Sequence, residues 1–353
     1  MKDKSAPIDL NEDEAEQFLT FKRLCAENGL VERPRELGAG DVQDGINDEL
    51  TLFRYFKAGR LNLQRSLQQL QDAADFHEKQ HVFRMYQGIR IKDFEDTRKL
   101  YPHWTGRRDK RGLPILMVDM AHYNPAALGH WRQTRDMPCC PDPMMESTEG
   151  PNMAQRVTVF HDSLTRFVLP LCTAMRDRQK PTTPISNAVY VVDASAVSVK
   201  QGWDLKDFAQ EISSILITCY PETIERILVC NVPSYFSTIW SILKKWVDPI
   251  TVAKVVVLKK ADVYSTLETY INKEHIPEKF GGGFTFNNGM LPDLDNGIRQ
   301  GLHWLTPTES LPPGPIKFTE DGDGKRMIVG TGTVDGKTPR NVKIATLEQE
   351  TVQ

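Results

Sequence analysis

The sequence lacks the features that mark most membrane-spanning and secreted proteins. No apolar stretch approaches the roughly 20 residues that a membrane-spanning helix needs. The residues near the N-terminus are polar and acidic and do not form a signal peptide. No CxxC spacing occurs among the six cysteines, which are Cys25, Cys139, Cys140, Cys172, Cys219 and Cys230. We therefore expect a soluble, cytoplasmic protein with free thiols.

Motifs that carry catalysis are missing as well. The sequence contains no GxSxG nucleophile elbow, no phosphate-binding GxxxxGK(S/T) loop and no GxGxxG after a strand. His77-Glu78-Lys-Gln-His81 matches the zinc motif HExxH, but its neighbours are polar and no third ligand follows at a known spacing. Asp321-Gly-Asp-Gly324 lacks the later ligands of a calcium loop, so it is interpreted as a tight turn. We expect no catalytic residue, no metal and no enzyme activity.

The charge balance excludes another class of partner. The chain of 353 residues has 44 basic and 47 acidic residues and a net charge of −3. Nucleic acid is therefore not an expected partner, and contact with an anionic surface would depend on local patches. The length allows one large domain or two small ones.

Short, continuous apolar runs in the second third of the chain predict a parallel sheet. These runs are rich in β-branched residues and do not alternate with polar ones, which is typical of strands buried on both faces. The expected strands are 113–119, 188–192, 226–230 and 254–258, all in one sheet. Helical patterns separate the last three strands, which indicates an α/β fold.

Two amphipathic helices are expected between these strands. The first covers 205–219, with Asp204 as its N-cap. The second runs from Phe236 to Val247, carries Trp240 on its apolar stripe and has lysines in its last turn. Two interpretations of the second helix stay open. It is either a core helix with a solvated basic end, or a movable wall over an apolar cavity.

The rest of the chain divides into a helical beginning and a polar end. The first part, 1–92, is expected to be an all-α region, the α/β domain covers 93–305, and 306–353 forms a tail. Helices are expected at 13–29, 48–59, 61–85 and 157–175, a hairpin turn at 107–111 and an irregular loop at 138–151. Met327–Val329 and Val342–Ile344 are expected to pair as a hairpin in the tail.

A series of short motifs resembles the CRAL-TRIO lipid-binding domain, in particular that of fungal phosphatidylinositol-transfer proteins. The motifs are, in order, Cys219-Tyr-Pro-Glu222, Asn231-Val-Pro233, Phe236-Ser-Thr238, Trp246-Val-Asp-Pro249 and Lys279-Phe-Gly-Gly282. Each motif is short, but their order and spacing are specific. The similarity covers residues 45–290.

This resemblance implies both a fold and a function. The fold is a helical lobe beside an α/β lobe, whose mostly parallel sheet floors a hydrophobic pocket under a helical gate that opens at a membrane. The pocket would hold one phospholipid, phosphatidylinositol, and no other cofactor. The protein would be a monomer that carries lipid between phospholipid membranes as a transient peripheral protein, on Golgi or endosomal membranes. A lipid kinase is a further partner that the resemblance suggests.

The resemblance also implies site residues. Arg60, Glu211 and Lys244 match the inositol-phosphate site, and Glu211 would pair with Lys244 when no lipid is bound. From the residues alone, Glu211 also fits the solvated face of its helix. The residues expected at the cavity and gate are Thr173, Phe236, Ile239, Trp240 and Leu243.

Some positions depart from the family pattern. Gly59 stands where the family usually has arginine, and Thr105 and Leu116 replace tyrosines that serve phosphatidylcholine. The resemblance therefore implies a retained inositol-lipid site and an altered choline-lipid site. An alternative function stays open, in which the protein is a sensor or scaffold that binds another hydrophobic ligand, such as a sterol or haem.

Overall fold

The computed structural model describes residues 10–140, 150–198, 200–201 and 205–347. The expected cap at Asp204 and most of the expected loop at 138–151 lie outside these residues. The expected fold class is confirmed: a lobe of helices precedes an α/β lobe with a mostly parallel sheet. A second sheet follows near the end of the chain.

Five helices form the helical lobe. They are α1 (Glu12–Glu27), α2 (Glu49–Ala58), α3 (Leu63–Lys79), α4 (Val82–Gly88) and α5 (Ile91–Arg98). Asn11, Asp48 and Asn62 cap the first three, each by accepting a hydrogen bond from a backbone amide.

The single helix expected over 61–85 is wrong. His81 has a left-handed backbone (φ 51°) that separates α3 from α4. Its Nδ1 lies 2.8 Å from Glu36 Oε1, and this contact holds the turn.

The central sheet contains all four expected strands and one that was not expected. The strands are β1 (His103–Arg108), β2 (Pro114–Asp119), β3 (Ala188–Asp193), β4 (Ile224–Cys230) and β5 (Val255–Val257), in the order β1-β2-β3-β4-β5. The last four run parallel, and β1 is antiparallel to β2. The expected turn before β2 is confirmed, since Gly112 N donates to Asp109 O at 3.0 Å.

Helices cover both faces of this sheet. Before β3 come α6 (Pro125–Arg135), α7 (Met153–Ser163), a π-helical segment (Leu164–Val168) and α8 (Leu169–Ala174). After β3 come α9 (Lys206–Cys219), α10 (Phe236–Leu243), α11 (Pro249–Ala253), α12 (Val263–Tyr270) and α13 (Asn296–Gln300).

The second amphipathic helix is shorter than expected. It ends at Leu243 instead of Val247. Asp248 then starts α11, because its carboxylate accepts hydrogen bonds from the amides of Ile250 and Thr251.

The end of the chain forms a four-stranded antiparallel sheet rather than a single hairpin. Its strands are β6 (Leu302–Trp304), β7 (Ile316–Glu320), β8 (Arg326–Gly330) and β9 (Val342–Leu347), in the order β6-β9-β8-β7. The expected pairing of its two apolar segments is confirmed at Val329 and Lys343. Phe318, Ile328 and Ile344 belong to the same hydrophobic cluster as the central strands. This sheet crosses the expected boundary at 305/306.

The C-terminal sheet is also joined to the segment between α1 and α2. The buried side chains of Asp41 and Lys317 form an ion pair. Arg326 Nη1 lies 2.5 Å from Asp44 Oδ2, and Glu320 N donates to Gly40 O at 2.7 Å. An early segment of the chain is thus fixed to its last strands.

Candidate functional site

One face of the central sheet floors a large cavity. The register puts Val118 opposite Val192 and Tyr190 opposite Ile227, and the twofold period of a strand directs these side chains to the same face. All four line a cavity of about 930 Å³. Apolar side chains from α9 and from residues 243–250 form its walls. They are Phe208, Ile212, Leu216, Leu243, Val247 and Ile250. The interior therefore suits hydrocarbon.

The mouth of the cavity is polar. On one side it is lined by the side chains of α3 and its cap, which include Asn62, Gln64, Arg65, Gln68 and Asp72. On the other side Lys254 Nζ lies 3.2 Å from Glu222 Oε2 and donates to Ile224 O at 2.7 Å. No described carboxylate forms an ion pair with Arg65, so its guanidinium is available to an anion. The sequence did not single out Arg65, because only the folding of α3 against α9 brings it there.

Arg60 lies in a strained turn next to this mouth. Arg60 and Leu61 have left-handed backbones (φ 55° and 63°) between α2 and α3, and the Arg60 side chain is exposed. Arg60 itself is not among the lining residues, but Asn62, two residues later, is. Packing explains why Gly59 stands where the family usually has arginine. A Cβ at this position would come within 2.0 Å of Ser66 Oγ.

Lys244 and Glu211 are not brought together. Lys244 is exposed and follows Leu243, which lines the cavity. Glu211 is half-buried on α9, where burial raises its pKa and the nearby Arg135 lowers it. Among the residues that the structure describes, the expected pairing of Glu211 with Lys244 is absent. Glu211 does not line the cavity, and the charged groups that act on its carboxylate include Arg135 and Asp136 at the end of α6.

The residues expected at the cavity and gate occupy different environments. Leu243 lines the cavity. Phe236 and Ile239 are instead 4% and 0% exposed within a hydrophobic cluster, against which Trp240 packs. Thr173 lies outside the lining, where its hydroxyl donates to Leu169 O and accepts from Ile185 N, both at 2.9 Å. The apolar stripe of α10 is therefore mainly a core contact.

The far end of the cavity, next to the start of α9, carries aromatic residues that the sequence did not indicate as a group. The ring of Tyr101 stacks on Phe208 at 5.6 Å, and the ring of Tyr123 lies 5.2 Å from Phe208. His161 lies 5.6 Å from Tyr101, ring centre to ring centre. Burial lowers the pKa of His161 to about 4, so its imidazole is neutral at pH 7.

The two histidines of the HExxH match have separate partners. His77 is in α3, with Nε2 3.3 Å from the Tyr220 hydroxyl, whereas His81 lies beyond the helix against Glu36. Within the described ranges, no group of three His, Cys, Asp or Glu side chains could hold a metal ion. In the same ranges, no helix combines the length and apolarity needed to cross a membrane.

A comparison with protein families matches residues 98–282, which include the whole central sheet, to the CRAL/TRIO domain. The chain belongs to the CRAL/TRIO family. The resemblance inferred from its sequence motifs is confirmed. The matched residues also include α9, α10 and most of the cavity lining.

Relatives within the CRAL/TRIO family are distant. The SEC14 cytosolic factor of Kluyveromyces lactis is 21% identical over 276 residues, which cover 78% of this chain and 80% of that protein. The Sec14 cytosolic factor of Schizosaccharomyces pombe is 23% identical and covers 67% of this chain and 74% of that protein. An Arabidopsis thaliana phosphatidylinositol/phosphatidylcholine transfer protein, SFH9, is 22% identical and covers 79% of this chain and 44% of that protein.

These relatives agree with the expectation that the chain is not an enzyme, because their names describe cytosolic factors and a transfer protein. Among solved structures, Sfh5 matches with a TM-score of 0.50 and 13% identity, covering 73% of this chain and 84% of that one. At this identity the likeness shows the fold alone. The chain is thus a Sec14-like CRAL/TRIO protein.

Proposed function

We propose that this CRAL/TRIO protein binds phosphatidylinositol in the cavity and exchanges it between membranes. The observation that carries the proposal is the combination of a hydrocarbon-lined interior with a mouth that holds Arg65 and Lys254. The names of the Arabidopsis relatives, which are phosphatidylinositol/phosphatidylcholine transfer proteins, support it.

The size of the cavity suits acyl chains. Its volume of about 930 Å³ lies near the top of the range of roughly 300–1,000 Å³ for ligand pockets. Each methylene group withdrawn from water contributes about 0.8 kcal/mol, so two chains gain on the order of 20 kcal/mol inside an apolar chamber. A lipid carrier needs this gain because the extracted lipid gives up the contacts of its acyl chains in the bilayer.

The polar mouth would hold the head group. Guanidinium and ammonium groups form charge-assisted hydrogen bonds with phosphate, which fits Arg65 and Lys254. Arg60 and Lys244 are next to lining residues and would add positive charge at the rim. Glu222 lines the mouth, whereas Glu211 does not line the cavity, so Glu222 is better placed to accept hydrogen bonds from inositol hydroxyls.

A basic, partly apolar surface beside the mouth would meet the membrane. Residues 244–262 contain five lysines and two aspartates, although the whole chain carries a net charge of −3. Val256 and Val257, on the edge strand β5 of the same segment, are 36% and 43% exposed. Lysines beside exposed apolar side chains favour an anionic bilayer.

The direct test is to identify the lipid that the purified full-length chain carries and transfers. We expect solvent extraction and mass spectrometry to find phosphatidylinositol at up to one molecule per chain. We also expect the protein to move labelled phosphatidylinositol between vesicles. A chain that carries no phospholipid and transfers none would contradict the proposal.

A further inference from the structure

The cavity lies between helix α9 and the segment at 243–254. Both line it, for example with Ile212 of α9 and with Val247 and Ile250 of the segment. Among the described residues, no hydrogen bond or ion pair joins 206–219 to 244–253. A cation–π contact links them instead, since Nζ of Lys206 lies 4.5 Å from the ring centre of Trp246.

The Lys206–Trp246 contact positions the cavity wall from outside the cavity. Lys206 is the first residue of α9, and Trp246 directly precedes the lining residue Val247. The backbone amide of Trp246 donates to the carbonyl oxygen of Leu243, a second lining residue, at 2.9 Å. Neither Lys206 nor Trp246 lines the cavity itself. A change in this contact can therefore move the wall without removing a contact to bound lipid.

The segment at 244–253 has little else to hold it in place. Helix α11, which belongs to it, has no buried residue. An ion pair fixes the residue that follows the segment, because Lys254 Nζ lies 3.2 Å from Glu222 Oε2. Segments with few buried contacts open at low free energy. Loss of the Lys206–Trp246 contact should therefore shift the segment toward an open state.

Lys206 is able to change partner. Lys206 and Trp246 are both half-buried, and no described carboxylate forms an ion pair with Lys206. A cation–π contact at a partly exposed site shifts an equilibrium by only about two- to fivefold. An anionic bilayer attracts each lysine near its surface at least as strongly. At such a membrane the ammonium group can leave the ring for a lipid head group.

We infer that Lys206 holds the cavity closed in water and lets it open at an anionic bilayer by exchanging the ring of Trp246 for lipid head groups. The inference rests on the proposed function and adds a condition to it, namely that negative charge on the membrane speeds lipid exchange. Lys206 is a positioning residue, since it acts through Trp246. The contact with Trp246, which follows Lys244 and Lys245, also places Lys206 on the basic surface beside the mouth.

Removal of Lys206 should have the opposite effect to removal of a lysine that only binds the membrane. Loss of a membrane-binding lysine weakens attraction to anionic vesicles and lowers transfer. Lys206→Met keeps the aliphatic stem but loses the charge, so the closing contact disappears. Transfer from neutral vesicles, which cannot compete for the ammonium group, should then rise.

The test measures transfer of a trace of labelled phosphatidylinositol from two kinds of donor vesicle. One kind contains phosphatidylcholine alone, and the other also contains phosphatidylserine. We expect the wild-type chain to transfer faster from the anionic vesicles. We expect Lys206→Met to transfer about two- to fivefold faster than wild type from neutral vesicles and to gain less from phosphatidylserine. Lys206→Arg keeps a cation over the ring and should behave as wild type.

Two further variants assign the effect to the contact. Trp246→Leu should raise transfer from neutral vesicles as Lys206→Met does, and Lys206→Met/Trp246→Leu should gain no more than either single variant. Lys245→Met is the matched control. It removes the same charge from an exposed lysine with no described ring partner, so it should not raise transfer from neutral vesicles.

Hydrogen exchange without vesicles tests the contact independently of transfer. Amides of 244–253 should exchange about two- to fivefold faster in Lys206→Met than in wild type. The inference fails if this exchange is unchanged, or if Lys206→Met transfers from neutral vesicles no faster than wild type or Lys245→Met. In that case phosphatidylinositol transfer by the wild-type chain still supports the proposed function. If the wild-type chain transfers no phosphatidylinositol, the proposed function fails, and hydrogen exchange alone decides whether Lys206 holds the segment.

Discussion

The hydroxyl of Tyr55 donates a hydrogen bond to the backbone carbonyl of Cys219, with 2.8 Å between the two oxygens. Tyr55 is in α2, and Cys219 is the last residue of α9, the helix that walls the cavity. The contact is buried, with Tyr55 only 2% exposed. The helical lobe is therefore fixed directly to the wall of the lipid cavity.

Removing this hydrogen bond should loosen α9. We expect Tyr55→Phe to lower the free energy of unfolding by about 1–3 kcal/mol, because it leaves a buried carbonyl with one partner fewer. Urea unfolding measures the loss, and hydrogen exchange should rise in the last turn of α9. Tyr123→Phe is the matched control, since its hydroxyl has no described protein partner. Equal stability of the two variants would contradict the role of the Tyr55 contact.

Charge at the mouth should control transfer of phosphatidylinositol. We expect Arg65→Ala/Lys254→Ala to abolish most transfer, because each lost charged hydrogen bond weakens binding by about 1.5–3 kcal/mol. Arg60→Ala/Lys244→Ala removes positive charge at the rim and should also lower transfer. The measurement is vesicle-to-vesicle transfer of labelled phosphatidylinositol. The fold should stay intact, as judged by Tm.

The control for this experiment removes the same amount of charge elsewhere. Lys325→Ala/Lys343→Ala changes two lysines near and on the C-terminal sheet and should transfer at the wild-type rate. Glu211→Ala should also transfer normally, because its carboxylate does not line the cavity. Selective loss of transfer in Glu211→Ala would restore the sequence-based assignment.

The segment after α10 should be the mobile part of the gate. Helix α11 has no buried residue, whereas α10 buries Phe236 and Ile239. Segments with few buried contacts open at low free energy, so residues 244–253 should exchange amide hydrogens faster than β3. Anionic vesicles should alter this exchange more than neutral ones. Protection of 244–253 equal to that of β3 under both conditions would rule out a gate here.

Breaking the buried ion pair between Asp162 of α7 and Arg166 should strongly destabilise the fold. Arg166 Nη1 lies 3.3 Å from Asp162 Oδ2, with both side chains at most 2% exposed, and its guanidinium is 4.4 Å from the ring centre of Tyr86. Asp162→Ala would leave a buried charge unpaired, at a cost of about 3–5 kcal/mol in the free energy of unfolding. Asp96→Ala, which breaks exposed pairs with Lys92 and Lys99, should cost under about 1 kcal/mol.

Two buried histidines should make the protein less stable in mild acid. Burial lowers the pKa of both His103 and His161 to about 4, below the value of about 6.5 in an unfolded chain. Between these pH values the unfolded state binds more protons than the folded state, so stability falls as the pH drops from about 6.5 to about 4. Urea unfolding at several pH values measures the slope. His103→Gln should make the slope shallower, and an unchanged slope would contradict the assignment.

The central strands could be predicted from the sequence because strands buried on both faces are continuously apolar. Val189 and Val191 are 2% exposed, and continuous apolar runs of this kind are typical of a sheet covered on both sides. Strand β1 was not predicted because His103, Arg107 and Arg108 are polar. Their partners come from distant residues, such as Asp293 and Asp295, which no local pattern reveals.

The site was only partly predictable for the same reason. The resemblance located the cavity region, but it did not show that Ile239 would be fully buried in the core. Arg65 and Tyr123 lie 58 positions apart in the sequence, and only the packing of helices against the sheet brings them to one cavity. A long helical period likewise concealed the break at His81, since left-handed backbone at a histidine has no strong sequence signal.

The joining of the segment at 40–44 to β7 and β8 has a consequence for synthesis on the ribosome. Proteins emerge from the N-terminus onward, and early regions commonly fold while later ones are still being made. Here Asp41 cannot form its ion pair until Lys317 has been made. The hydrophobic cluster around Met117 is incomplete until Ile344 of β9 has been made. The nascent chain therefore exposes part of its main core until β9 has been translated. Stalling or truncation before β9 would leave an incompletely folded intermediate for chaperones.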